Sequence, residues 1–129
     1  MSATRTEPRR FSGPVLDRLA SEKMIGIRSG RVHRFTGVWA VVVRGRVFVR
    51  SWNDKETGWY RAFLEEPRGE IRVGGRVVRV RAKRVRDARR IAAIERAYAE
   101  KYDTKASQKW VRGFRAPRRR ATTTEFVAA

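Results

Sequence analysis

The sequence predicts a mainly β, α+β fold: a small six-stranded antiparallel β-barrel capped by helices. Three observations carry this. Residues 38–43 (VWAVVV) and 46–51 (RVFVRS) are β-rich runs separated only by Arg44-Gly45. Residues 68–73 (RGEIRV) and 76–85 (RVVRVRAKRV) are separated only by Gly74-Gly75. Two-residue Gly-containing connections between such runs signal β-hairpins, because glycine reaches the positive φ that primed turns need. Between the hairpins, Trp59, Tyr60, Phe63 and Leu64 form a compact apolar stripe at helical spacing, and Pro67 stops that helix.

The chain's 129 residues suit one domain with a sizeable core. Residues 1–13 are polar and aperiodic and are expected to be a flexible tail, leaving 14–129 as the folded unit. Pro14 suits a first helical turn, and Val15, Leu16, Leu19 and Ala20 give an amphipathic helix over 14–22. Residues 24–27 (MIGI) form a short strand, and Arg28-Ser29-Gly30-Arg31 a polar turn. Extended structure resumes over 32–43, with Gly37 as a bulge or kink. Within it, the apolar run at 38–43 suits a central strand covered on both faces.

The next strand alternates. Val47, Val49 and Ser51 share one face; Arg46, Phe48, Arg50 and Trp52 share the other. Residues 53–57 are a polar loop in which Asp54 or Thr57 can cap the following helix. In the second hairpin Val78, Val80 and Ala82 point one way and Arg79, Arg81 and Lys83 the other. The longest helix spans 87–102, with Ile91, Ile94 and Tyr98 on one side. A further helical turn at 108–114 presents Trp110 and Phe114, residues 116–120 (APRRR) form a basic linker, and 122–127 (TTTEFV) is a last strand. The order is α-β-β-β-α-β-β-α-β. Hairpin-linked strands argue for an antiparallel sheet that curls to remove its edges, with helices plugging the ends.

The formal net charge is +19, and residues 76–120 alone carry 17 basic against 4 acidic side chains. Such a field attracts anions: nucleic acid, acidic lipid or a smaller phosphorylated ligand; an Arg-rich solvated surface is the bland alternative. Absence of cysteine excludes disulfides, thiolate metal sites and a Cys nucleophile. No apolar run has the length of a membrane span, and the polar N-terminus lacks a secretory h-region, so a cytoplasmic location is expected. The lone histidine, His33, has no spaced partners for a metal site or triad. Glu65 and Glu66 are adjacent on a helix and cannot face each other as a catalytic pair. There is no GxxxxGK loop.

The pattern VFVRSW…GWYRAFLEEPRGEIRVGGRVVRVRAKRV resembles the core of the flavin/deazaflavin split-barrel proteins. It is most similar to their deazaflavin-dependent nitroreductase branch, through an uncharacterised bacterial domain-of-unknown-function family. The resemblance covers roughly residues 24–85. It implies a split β-barrel, a tendency to pair as a homodimer, and an oxidoreductase using FMN or a deazaflavin. It implies further that Arg28, Ser29 and Gly30, with Arg34 a few residues on, hold the cofactor phosphate. A turn with N–H groups, a hydroxyl and guanidinium groups is physically suited to that. The same turn also reads as a plain polar hairpin. The resemblance places the cofactor ring near Arg50, Ser51 and Trp52, with Trp59 and Tyr60 of the following helix alongside; Trp59, Tyr60 and Phe63 are equally readable as core packing. Any redox chemistry must then come from the cofactor.

Two other classes stay open. A nucleic-acid-binding module would use the basic stretch with Trp110 and Phe114 interleaved. A structural or partner-binding barrel would have kept the fold and lost the cofactor.

Overall fold

A computed structural model describes residues 10–31, 33–53, 55 and 57–129. Helix α1 (Gly13–Ser21) opens the chain, capped by Ser12, whose Oγ accepts the Val15 N–H. Strands β1 (Ile25–Ser29), β2 (Thr36–Val38), β3 (Ala40–Val43) and β4 (Arg46–Val49) follow, then helix α2 (Trp59–Glu65). The hairpin β5 (Arg68–Val73) and β6 (Arg76–Arg84) leads to α3 (Ala88–Lys101), α4 (Lys105–Gly113), the single turn α5 (Pro117–Arg120) and β7 (Thr124–Ala128). The expected flexible tail lies largely outside the described residues, as does Asp54. The N-cap of α2 is Gly58, without a side-chain cap, so Thr57 does not serve that role.

The strands form one antiparallel sheet in the order β2-β1-β5-β6-β7-β4-β3. Its two outermost strands, β2 and β3, are consecutive in the chain and joined by Trp39 alone. The sheet therefore curls until its ends meet across one residue, giving a nearly closed barrel. There are seven strands where the sequence predicts six, because the extended run over 32–43 breaks at Trp39. The break has a cause outside the sheet. The Trp39 ring stacks on Tyr102 at 4.1 Å, and the Trp39 carbonyl accepts the Tyr98 hydroxyl at 2.6 Å. Gly37, the expected kink, lies within β2.

The apolar run over 38–43 is not a central strand: β3 ends the ladder. It is nonetheless covered on both faces, by helices. Ala40 and Val42 pack inside the barrel with Val15 and Leu19 of α1. Val41 and Val43 pack outside it with Ile94 and Tyr98 of α3. These are two separate cores, one filling the barrel and one lying between its outer wall and α3–α4.

Both hairpin turns form as predicted. Arg44 and Gly45 have φ of 52° and 75°, Gly74 and Gly75 54° and 77°, and the pairs Val43↔Arg46 and Val73↔Arg76 close the ladders. At Gly69 in β5 a Cβ would lie 2.2 Å from the Arg28 carbonyl oxygen and 2.7 Å from the Phe63 ring, so only glycine lets α2 sit this close to β1 and β5. The stretch expected as a basic linker instead starts a helical turn at Pro117.

Candidate functional site

An open groove of about 420 Å³ runs between the end of β1 and α2. Arg28, Ser29, His33 and Arg34 form one wall; Trp59, Arg61 and Glu65 form the other. The site is thus made where β1 ends in a turn and α2 crosses it.

The donors at the turn face inward. Arg28 donates through Nε and Nη2 to Glu70 Oε1 at 2.9 and 2.6 Å, and through Nη1 to the His33 carbonyl at 3.3 Å. Its guanidinium carbon also lies 4.2 Å from the Phe35 ring. Ser29 is buried, and its hydroxyl donates to the Glu66 carbonyl at 2.7 Å, tying the C-terminal end of α2 to β1. The Gly30 N–H donates to the Arg68 carbonyl at 2.8 Å, and Gly30 has φ of 63°. Arg34, by contrast, is exposed and has no partner among the described residues. Trp59 is half-buried. It packs edge-on to Phe63 at 6.3 Å and leans on Phe126, so one part of the ring belongs to the barrel core and another lines the groove.

The remaining expected site residues lie elsewhere. Arg50 is wholly enclosed, its side chain 0% exposed. It donates to Thr123 Oγ1 at 2.7 Å, the Phe114 carbonyl at 3.1 Å, the Ile91 carbonyl at 3.3 Å and Glu95 Oε1 at 3.4 Å. It joins the end of β4 to the body of α3, the C-cap of α4 and the segment leading into β7, and its burial lowers the guanidinium pKa against the opposing pull of Glu95. The Ser51 N–H donates to Thr122 Oγ1 at 2.8 Å. Trp52 sits edge-on to Trp110 and Phe114, with the Arg119 guanidinium 3.5 Å from its ring. Tyr60 is buried and donates to the Ala121 carbonyl at 3.3 Å. The expected set therefore divides: Arg28, Ser29, Arg34 and Trp59 line the groove beside Gly30, whereas Arg50, Ser51 and Trp52 meet where β4 runs into α4 and α5.

Sequence reasoning missed two carboxylates. Glu70 and Glu95 are the acids that hold Arg28 and Arg50. Glu70 stands among arginines in a strand of alternating pattern, which is a signal for a cross-strand partner. Nothing in the sequence points from Glu95 to Arg50, 45 positions away.

The groove's volume lies within the range of small-molecule sites, about 300 to 1,000 Å³. Arg34 fits an anionic end and Trp59 a flat ring. Arg28 fits a different role, because its charge is matched by Glu70. Among the described residues no group of acidic or histidine side chains could hold a metal, and no helix is long and apolar enough to cross a membrane.

The fold is that of the split-barrel class, and two solved structures share it. One is a conserved hypothetical protein from Mycobacterium tuberculosis, with a TM-score of 0.58, 12% identity, and coverage of 97% of this chain and 83% of that one. The other is described as a FAD-binding protein from Mesorhizobium loti, with a TM-score of 0.53, 14% identity, and coverage of 93% and 90%. The chain belongs to the family described as an uncharacterized protein conserved in bacteria (DUF2255), which it matches over residues 16–125. No curated protein matches it.

Proposed function

We propose that the groove between β1 and α2 binds a flavin-type cofactor, FMN or a deazaflavin, and that the protein is a cytoplasmic oxidoreductase that pairs as a homodimer. The observation that carries this reading is the groove itself, with Arg34 and Trp59 on opposite walls in a barrel shared with a FAD-binding protein. Arg34 would hold the phosphate and Trp59 would bound the ring. Arg28 and Ser29 act as positioning residues: Arg28 pins the 33–35 segment to β5, and Ser29 pins α2 to β1. A cofactor of this type supplies hydride transfer when bound, while the chain orients it and shields one face.

The reading is tested by titrating FMN, FAD and a deazaflavin into the purified protein and following flavin fluorescence and thermal shift. Binding that weakens about tenfold in Arg34→Ala is expected, the loss of one charge-assisted contact. Absence of binding by all three ligands would overturn it and leave the nucleic-acid-binding module and the cofactor-free barrel.

A further inference from the structure

The cationic surface of α4 and α5 carries an aromatic platform that the groove does not explain. From Thr104 to Arg120 the chain has seven basic side chains and no acidic one. Lys105, Lys109, Arg112, Arg115 and Arg118 are exposed and have no carboxylate partner among the described residues. Trp110, large and apolar, stands 41% exposed in their midst.

The platform is rigidly built. Trp110 rests edge-on against Trp52 at 4.8 Å, and Trp52 in turn against Phe114 at 5.6 Å. The Arg119 guanidinium stacks 3.5 Å from the Trp52 ring and donates to the Trp52 and Gly113 carbonyls at 2.7 and 3.0 Å. At Gly113 a Cβ would fall 2.3 Å from the Trp52 ring, so glycine is what lets α4 close on it. Beside Trp52 lies a hollow of about 310 Å³ bordered by Ser51, Asn53, Arg118 and Arg119. Lys109 Nζ lies 5.3 Å from the centre of the Trp110 ring.

A row of unpaired cations beside an exposed, braced indole and a ring-lined hollow is the arrangement that recognises phosphates alternating with flat bases. We infer that α4 and α5 bind single-stranded nucleic acid, with Arg112, Arg115 and Arg118 along the backbone and a base stacked on Trp110. An acidic protein or an anionic lipid surface would also cover the indole, but neither alternates its charges with flat rings, and a duplex would keep its bases from the ring. The inference shares no residue with the cofactor groove, so either can fail alone.

The test uses the full chain with fluorescein-labelled single strands of about 12 nucleotides, within the site size of one binding fold. Anisotropy is read at low and rising salt. Trp110→Ala is expected to weaken binding about tenfold, the loss of one stacked base, and Trp110→Phe to restore part of it. Arg112→Ala with Arg118→Ala should lower the slope of log affinity against log salt by roughly 0.7 per side chain. The inference is overturned if single strands do not bind, or if Trp110→Ala binds them unchanged. It is equally overturned if the matching duplex, poly-glutamate or anionic phospholipid vesicles bind as tightly with the same dependence on Trp110.

Discussion

The Tyr98 hydroxyl donates to the Trp39 carbonyl at 2.6 Å, across the point where the barrel sheet comes to an end and starts again. The same oxygen accepts the Arg50 backbone N–H at 3.1 Å. Two more side chains from the end of α3 support the seam. Lys101 Nζ donates to the Ala40 carbonyl at 2.6 Å and the Leu19 carbonyl at 3.0 Å, and the Tyr102 hydroxyl donates to the Lys23 carbonyl at 2.7 Å. Helix α3 thus supplies the hydrogen bonds that a neighbouring strand would supply in a fully closed barrel. Backbone groups at a sheet end need such partners, because leaving them unmade in a partly buried place is costly.

Tyr98→Phe should therefore destabilise the fold by about 2 kcal/mol, since it keeps the ring's packing and strands two backbone groups. Urea unfolding measures this through a lower midpoint at unchanged slope. A loss within error of zero would show that the seam does not depend on α3.

Lys101 gives the seam a pH dependence. Burial lowers its pKa from 10.5 to about 8, with Glu22 pulling the other way. Between pH 8 and 10 the unfolded chain holds more proton at this site than the folded one, so stability contributed here rises with pH. Burial raises the Tyr98 and Tyr102 pKa values above the usual 10.0, so above pH 10 the unfolded tyrosines lose protons that the folded ones keep, and stability falls again. Thermal unfolding from pH 7 to 10 should show the wild type gaining on Lys101→Met. Parallel curves for the two proteins would contradict this.

Arg28 and Arg34 should separate cleanly. Arg28→Ala leaves Glu70 nearly enclosed, with the Arg31 guanidinium at 3.9 Å its one other ion-pair partner among the described residues, and should cost about 1–2 kcal/mol of stability. Arg34→Ala touches no contact of the fold and should leave the unfolding midpoint unchanged. Equal midpoints for the two variants would remove Arg28 from its positioning role.

Arg44 is the one non-glycine residue with positive φ among those described. Its left-handed conformation costs an ordinary L-residue roughly 1–2 kcal/mol, and asparagine bears it more readily. Arg44→Asn, which makes the turn Asn-Gly, should stabilise the protein by about 1 kcal/mol in the same urea assay.

Most of the fold was legible because local chemistry decides it. The two hairpins follow from their turn residues, α3 from its 3.6-residue stripe, and the covered faces of β3 from an apolar run without alternation. The break at Trp39 was not legible, since it depends on Tyr98 and Tyr102, some sixty positions away. The candidate site was legible in part for the same reason. Arg28, Ser29, Arg34 and Trp59 are gathered by a turn and the helix that crosses it. Arg50 shares a strand face with Arg46, Phe48 and Trp52 in the sequence, and only the tertiary placement of α3, α4 and the segment before β7 encloses it. Alternation along a strand tells which face a side chain takes; what covers that face is set by distant elements.

The central claim is that the groove holds a flavin-type cofactor through Arg34. Titration of FMN and of a deazaflavin into wild type and Arg34→Ala, with Arg76→Ala, exposed at the β5–β6 turn and outside the groove, as a charge-matched control, tests it most directly. The account predicts saturable binding by wild type and Arg76→Ala and about tenfold weaker binding by Arg34→Ala. Equal weakening in both variants, or no saturable binding by the wild type to FMN or a deazaflavin, would contradict it.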